Sequence, residues 1–163
     1  MTRTHLTFAL FLIAAPLAAP AQQLGDLSAP HAPKAYIAYT QQPQTIPAGH
    51  RATLELHFRV LPSYHVNSHT PTESFLIPTA LTLSPAAGIK PGEPVYPAGQ
   101  PYAFAFDPGN KLSVYAGDFV VTLPVTAAAG AHSLSASLRY QACNNASCFP
   151  PRNLDVTIPF TAK

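Results

Sequence analysis

Proline restricts the fold of this chain more than any other residue. The sequence has 19 prolines among its 163 residues, whereas proteins usually contain about 5% proline. A proline ring blocks the interior of a helix, so prolines this frequent fall at turns and at the ends of strands. No convincing helical pattern appears after residue 21. The prolines therefore favour a protein built from short β-strands.

Several segments alternate apolar and polar residues with a period of two, which is typical of half-buried strands. The clearest are residues 54–60, 81–83, 119–125, 134–142 and 154–160. The last two are predicted to pair on either side of the cysteines. Short strands separated by proline and glycine turns predict an all-β fold, a single-domain antiparallel β-sandwich of immunoglobulin-like architecture. The tryptophan and the long-range cysteine pair of antibody domains are missing.

The N-terminus has the features of a secretory signal peptide. Arg3 precedes the apolar run LTFALFLIAA, which is too short to cross a bilayer, and Ala19-Pro20-Ala21 is a small-residue cleavage site. We therefore predict a signal peptide at residues 1–21, a flexible arm at 22–34 and a folded domain at 35–163. The mature chain is expected beyond the membrane, where disulfides persist.

The charge of the chain gives no indication of a nucleic-acid partner. Nine basic residues, Arg3 among them, stand against seven acidic ones, so the mature chain is expected to be nearly neutral. No segment after the leader approaches the length of a membrane span. With so few carboxylates, a hydrolase that uses a carboxylate pair is not expected.

The two cysteines, Cys143 and Cys148, are separated by four residues and followed by Pro150-Pro151. A disulfide between them closes so short a loop that it contributes only about 2 kcal/mol. A structural disulfide and a redox-active one both remain open at this point. If the alternation continues regularly, Cys143 lies with Gln141 on the polar face, where an attacking thiolate could reach it. The absence of a Cys-x-x-Cys motif excludes a thioredoxin-like enzyme.

The cysteines lie in the segments Tyr140-Gln141-Ala142-Cys143 and Cys148-Phe149-Pro150-Pro151. These segments resemble the active-site hairpin of the N-terminal periplasmic domain of DsbD, a transmembrane conductor of thiol reducing equivalents in bacteria. Segments 64–69, 74–78, 114–115 and 122–125 resemble other parts of that domain more weakly. The resemblance extends over residues 35–160. One residue fewer separates the cysteines here than in the best-known member of the family.

The resemblance implies an enzyme, a periplasmic thiol-disulfide oxidoreductase of the protein-disulfide reductase type that needs no cofactor. Cys148 would form the mixed disulfide with a partner, and Cys143 would resolve it. The electron donor would be a separate membrane-embedded thiol reductant with a thioredoxin-like domain. The acceptors would be disulfide isomerases or thioredoxin-like proteins of cytochrome c maturation.

The resemblance also implies a set of residues around the disulfide. The expected neighbours are His65, Asn67, Tyr140, Gln141, Phe149 and Pro150. A cap loop that shields the family's active site would correspond to residues 102–110, with Phe104, Phe106 and Asp107 as its candidates. The alternation places Tyr140 on the core-facing side of its strand, where we expect its hydroxyl to be hydrogen-bonded.

Two other functions are compatible with the sequence. The first is a non-catalytic, extracytoplasmic immunoglobulin-like interaction module whose disulfide is structural. The second is a periplasmic copper or zinc carrier that binds metal through His65, His69 and the two thiols. An extended chain would hold the two histidines ~13 Å apart, so a turn would have to bring them together. We therefore predict no metal site.

Overall fold

A computed structural model describes residues 33–105 and 107–163 of the chain. These residues form twelve strands, β1 (Ile37–Thr40), β2 (Gln44–Ile46), β3 (Ala52–Val60), β4 (His65–Asn67), β5 (Ala80–Leu83), β6 (Ile89–Pro91), β7 (Gln100–Phe104), β8 (Asp107–Tyr115), β9 (Asp118–Ala127), β10 (Gly130–Tyr140), β11 (Ala142–Cys143) and β12 (Arg152–Ala162). The predicted signal peptide at 1–21 and all but the last two residues of the predicted arm at 22–34 lie outside the described residues.

The strands form three four-stranded sheets. The first has the order β1-β3-β9-β6, the second β2-β12-β10-β5, and the third β11-β4-β8-β7. Residues Pro33–Lys163 make one compact unit. The predicted single-domain, all-β sandwich of immunoglobulin-like architecture is confirmed. Within the described ranges, no helix has the length and apolar character needed to cross a membrane.

The core lies between the first and second sheets. Strands β3 and β9 pair antiparallel along their length, and their buried residues, such as Leu56 and Leu123, alternate with more exposed ones. Leu138 of β10 and Ile158 of β12 belong to the same buried cluster. Period-two alternation therefore predicted these strands correctly, because each has one face on the core and one toward solvent.

Strands β10 and β12 form the long pair predicted around the cysteines. Their antiparallel register runs from Gly130 opposite Ala162 to Tyr140 opposite Arg152. The chain between Tyr140 and Arg152 carries both cysteines. The two long strands thus fix the ends of the cysteine segment on a well-packed part of the sandwich.

One strand pair differs from the predicted antiparallel arrangement. Strand β2 runs parallel to the end of β12, with Gln44 opposite Phe160 and Ile46 opposite Ala162. Beyond this pair, the Lys163 amide donates to the Ile46 carbonyl, and the Ala48 amide donates to the Lys163 carbonyl. The short β2 strand therefore pairs with the edge of β12 that does not face β10. Because this pair is parallel, the second sheet is mixed.

The third sheet, which sequence periodicity did not predict, positions the cysteines. Strand β4 lies at its centre, where it pairs antiparallel with β11 on one side and with β8 on the other. Strands β7 and β8 form a hairpin that extends the sheet, with an irregularity between Tyr102 and Phe104. Strand β11 has two residues and β4 has three, so neither is long enough to show an alternating pattern.

Candidate active site around the Cys143–Cys148 disulfide

The two cysteines are joined in a disulfide that closes a tight hairpin. Their Cα atoms lie 3.9 Å apart, and the S–S bond measures 2.01 Å. The Asn144 amide donates to the Ser147 carbonyl at 2.9 Å. The Asn144 side-chain oxygen accepts hydrogen bonds from the Ala146 and Ser147 amides at 2.8 and 2.9 Å. Asparagine stabilises turns through such local bonds, so the residues between the cysteines form a hydrogen-bonded turn.

The two cysteines differ sharply in exposure. Cys143 is fully buried, with 0% of its surface accessible, whereas Cys148 is exposed. The prediction that Cys143 lies on the polar, reachable face is therefore wrong. Strand β10 ends at Tyr140, and Gln141 separates it from β11, so the alternation does not continue to Cys143. A thiolate from another protein must reach the disulfide sulfur that it attacks. Exposure therefore favours attack at Cys148 over Cys143.

Gln141 links the cysteine hairpin to the segment that follows β4. Its side-chain oxygen accepts from the Asn67 side-chain amide at 3.2 Å and from the Ile77 amide at 3.5 Å. Its own amide group donates to the Phe149 carbonyl at 3.2 Å. Asn67, which is buried, also donates to the Ile77 carbonyl at 3.0 Å. The structure therefore brings Asn67 and Gln141, both expected near the disulfide, into one hydrogen-bond network.

The residues that flank the hairpin anchor it in an aromatic cluster. Phe149 stacks on Tyr36 with the ring centroids 5.0 Å apart, and its amide donates to the Ala142 carbonyl at 2.8 Å. Tyr140 is 1% exposed, and its hydroxyl accepts from the Tyr36 amide at 3.1 Å. Tyr140 thus faces the core with a hydrogen-bonded hydroxyl, as the alternation predicted. Pro150, after Phe149, is exposed.

His65 lies opposite Cys143 in the pairing of β4 with β11. The residue is buried, and its Nε2 atom has no hydrogen-bond partner among the described residues. Its ring centroid lies 3.9 Å from that of Tyr102 and 5.9 Å from that of Phe104. Burial lowers the pKa of His65 below its ordinary value of 6.5. The imidazole beside Cys143 is therefore neutral at pH 7.

The segment expected to act as a cap is the β7–β8 hairpin, which lies beside the disulfide loop. The Tyr102 hydroxyl donates to the Asn145 side-chain oxygen at 2.9 Å. Phe104 is half-buried, and the exposed Asp107 is opposite it in the hairpin. Phe106, the third candidate, lies outside the described residues. Tyr102 was not singled out, although its alternation with Phe104 is the signal that could have identified it.

The two histidines considered as metal ligands have separate environments. The His69 Nδ1 atom lies 2.9 Å from the Thr79 carbonyl oxygen, and its ring stacks on Tyr96 with the centroids 3.7 Å apart. His65 packs against Tyr102 instead. Among the residues that the structure describes, no group of three or more His, Cys, Asp or Glu side chains could hold a metal ion.

Comparison with known proteins identifies the family. The family model described as "Thiol:disulfide interchange protein DsbD, N-terminal" matches residues 33–159. A comparison with curated proteins finds no match.

Solved structures similar to this chain include two of the Neisseria meningitidis DsbD N-terminal domain. The reduced form is 21% identical, with a TM-score of 0.44, and the match covers 66% of this chain and 77% of that one. The complex of that domain with the PilB N-terminal domain gives 20% identity, a TM-score of 0.44 and coverages of 64% and 73%. The N-terminal periplasmic domain of ScsB from Proteus mirabilis is 10% identical, with a TM-score of 0.45 and coverages of 75% and 44%.

The family match spans most of the chain and includes both cysteines, all of β10 and β11, and most of β12. The chain belongs to the family of DsbD N-terminal domains, whose function is thiol-disulfide exchange in the periplasm.

Proposed function

We propose that this chain is a protein-disulfide reductase that passes electrons from a membrane-embedded thiol reductant to disulfides of exported proteins. The observation that carries the proposal is the unequal exposure of the pair, with Cys148 exposed and Cys143 fully buried. In an exchange protein, this asymmetry determines which sulfur is attacked.

The proposed reaction begins when a thiolate of the donor attacks the Cys148 sulfur. The Cys143–Cys148 bond breaks, Cys143 leaves as a thiolate, and a mixed disulfide joins Cys148 to the donor. The donor's second thiol then attacks the donor sulfur that is bonded to Cys148. This attack releases Cys148, so the pair is reduced and the donor is oxidised to a disulfide. The donor loses two electrons, and Cys143 and Cys148 gain them.

The reduced pair then reacts with the acceptor in the reverse sense. The Cys148 thiolate attacks the acceptor disulfide, and one acceptor sulfur leaves as a thiolate. Cys143 attacks Cys148 in the resulting mixed disulfide, which releases the second acceptor sulfur and restores the Cys143–Cys148 bond. Burial of Cys143 suits this resolving role, because only its neighbour Cys148 has to be within its reach.

We assign the β7–β8 hairpin the role of a cap over this reaction. Two contacts support this role: the Tyr102 hydroxyl donates to the side chain of Asn145, between the cysteines, and the Phe104 ring lies against His65. A partner that docks on Cys148 would have to displace or accommodate this hairpin. Phe106 and Asp107 complete the set of cap candidates.

The proposed partners and location follow from membership of the family. Both the electron donor and the electron acceptors would have thioredoxin-like domains. The donor would be a membrane thiol reductant with such a domain. On the acceptor side, the domains would belong to disulfide isomerases or to cytochrome c maturation proteins. The signal peptide proposed at residues 1–21 would direct the domain proposed at 35–163 to the periplasm.

The roles of the two cysteines can be tested with a matched pair of variants. Cys143→Ser leaves the exposed Cys148 thiol free, and Cys148→Ser leaves the buried Cys143 thiol free. Each purified variant is incubated with oxidised glutathione, and its intact mass is measured over time. We expect Cys143→Ser to gain one glutathione much faster than Cys148→Ser. Faster modification of Cys148→Ser would contradict the assigned roles.

A further inference from the structure

The Nε2 atom of His65 is a buried polar atom without a hydrogen-bond partner among the described residues. His65 is only 3% exposed. Buried polar atoms are almost always hydrogen-bonded, and each exception needs an explanation, such as strain, a bound water or ion, or a catalytic or redox role. The unpartnered nitrogen therefore calls for such an explanation.

The position of His65 places its side chain beside the buried cysteine. His65 and Cys143 are directly opposite one another in the antiparallel β4–β11 pair. Residues paired in this way project from the same face of a sheet, with their Cβ atoms about 4.5–5.5 Å apart. Since Cys143 is 0% exposed, the His65 ring is a close titratable neighbour of a sulfur that solvent does not reach.

The surroundings of His65 keep its ring neutral. Burial lowers its pKa, and a neutral imidazole has one nitrogen that can accept a proton. The elements packed around it contribute few titratable groups: Tyr102 from β7, Cys143 from β11, and Asp107, Lys111 and Tyr115 from β8. Asp107 and Lys111 are exposed, so neither of these two charged groups is buried with the ring.

We propose that the Nε2 atom of His65 accepts the proton of the Cys143 thiol when Cys143 resolves the mixed disulfide. The inference rests on the proposed function and deepens it. The Cys143 sulfur forms a bond to Cys148 while its proton passes to His65, and the partner sulfur leaves as a thiolate. The imidazolium then returns its proton to that thiolate or to solvent, so no further reactant is needed.

The buried Cys143 thiol must lose its proton in order to attack Cys148, and a base beside it would accept that proton. Only the thiolate is nucleophilic, and burial in apolar surroundings raises the pKa of a thiol above about 8.5. A buried Cys143 would therefore be almost entirely protonated at pH 7. A neighbouring neutral histidine removes the proton during the attack, so the Cys143 thiol need not ionise before it attacks Cys148.

A reaction with a chromogenic disulfide separates the two steps. The reduced protein is mixed with excess dithiobis(nitrobenzoate), and release of the coloured thiol is followed in a stopped-flow instrument. The first equivalent is released when Cys148 attacks the probe, at a rate that depends on probe concentration. The second is released when Cys143 attacks Cys148, at a rate that does not. The second phase therefore reports on Cys143 alone.

We expect His65→Gln to slow the second phase at least about tenfold at pH 7 and to leave the first phase nearly unchanged. General bases contribute about 10²–10⁴-fold, and tenfold is the smallest effect expected, because the small fraction of the thiol that ionises unaided can also attack. The matched control is His69→Gln, which removes a histidine bonded to the Thr79 carbonyl instead. Equal second-phase rates in wild type and His65→Gln would overturn the proposal.

The pH profile provides a readout that a merely structural role would not change. A base whose pKa lies below 6.5 is mostly deprotonated above that pH, so the wild-type second phase should rise less than about fivefold between pH 6.5 and 8. Without His65, the rate should rise about tenfold per pH unit until the thiol ionises. If His65→Gln fails to fold, the wild-type profile decides, because a rate that rises the full tenfold per pH unit from about pH 6.5 to 8 would overturn the proposal.

The same experiment distinguishes failure of this inference from failure of the proposed function. If the folded wild-type protein cannot be reduced at the Cys143–Cys148 bond, the proposed reductase function fails and this inference fails with it. If both phases occur but do not depend on His65, the reductase function stands and only the role of His65 is refuted.

Discussion

Replacement of Gln141 by alanine should destabilise the protein by more than its surface position suggests. The side chain accepts from the Asn67 side chain and the Ile77 amide, and it donates to the Phe149 carbonyl. Asn67 keeps its bond to the Ile77 carbonyl in the variant, but two half-buried backbone groups lose their partner. At about 1 kcal/mol for each, the free energy of unfolding should fall by about 2 kcal/mol.

Gln44→Ala is the matched control for this prediction. Gln44 makes two shorter hydrogen bonds, of 2.9 and 2.8 Å, to the backbone of Glu55, but they are exposed. Water can replace them, so the loss should stay within about 0.5 kcal/mol. Judged by bond lengths alone, Gln44 would be the more important residue. Judged by burial, it is Gln141.

Urea unfolding followed by circular dichroism, with the disulfide intact in every sample, measures both changes. For a urea m-value of ~2 kcal/mol/M, Gln141→Ala should lower the midpoint by about 1 M. The same variant should react faster with dithiothreitol, because the cysteine hairpin loses its link to the segment after β4. An equal or larger midpoint shift for Gln44→Ala would refute the reasoning from burial.

Three further predictions concern the turns and sulfurs that shape the site. A methyl group at Gly99 would lie 2.1 Å from a serine hydroxyl of β8, so Gly99→Ala should lower stability by about 1–3 kcal/mol in thermal unfolding; an unchanged midpoint would contradict this. Ser63 has a left-handed φ of 69° at the turn before β4. Ser63→Gly should therefore raise the free energy of unfolding by about 1 kcal/mol, and a lower free energy of unfolding would be evidence against strain at this residue. In the reduced protein, iodoacetamide should alkylate Cys148 well before Cys143, as peptide mass mapping would show; equal rates would contradict the difference in exposure.

The long strands of the sandwich could be predicted because their burial is one-sided. Strands β3, β9, β10 and β12 each present alternate residues to one core, so the sequence carries a period of two. The pairing of β10 with β12 followed from their similar alternation on either side of the cysteines. These strands fix the sandwich, and the prediction needed no information about distant contacts.

The third sheet could not be predicted, for a physical reason that also explains the error at Cys143. All three residues of β4 and both residues of β11 are buried, so neither strand alternates. The break at Gln141 depends on its hydrogen bonds to Asn67 and Ile77, which are tertiary contacts. Alternation extended through that break assigns Cys143 to the wrong face.

The disulfide neighbours were expected from the family resemblance, and their contacts emerged only in the structure. The pairing of His65 with Cys143 and the contact of Tyr102 with Asn145 join segments distant in sequence. No local pattern encodes such contacts. His65 Nε2, which has no hydrogen-bond partner in the described part of the chain, is likewise buried by the surrounding strands rather than by its neighbours in sequence.

The reduction potential of the Cys143–Cys148 pair tests the account most directly. The purified protein is equilibrated with defined ratios of reduced and oxidised glutathione or dithiothreitol, and its free thiols are alkylated and counted by mass. A working exchange protein should give a value of about −200 to −270 mV while the sandwich stays folded. A value well below about −300 mV, or reduction only upon unfolding, would show a structural disulfide and contradict the proposed transfer of electrons.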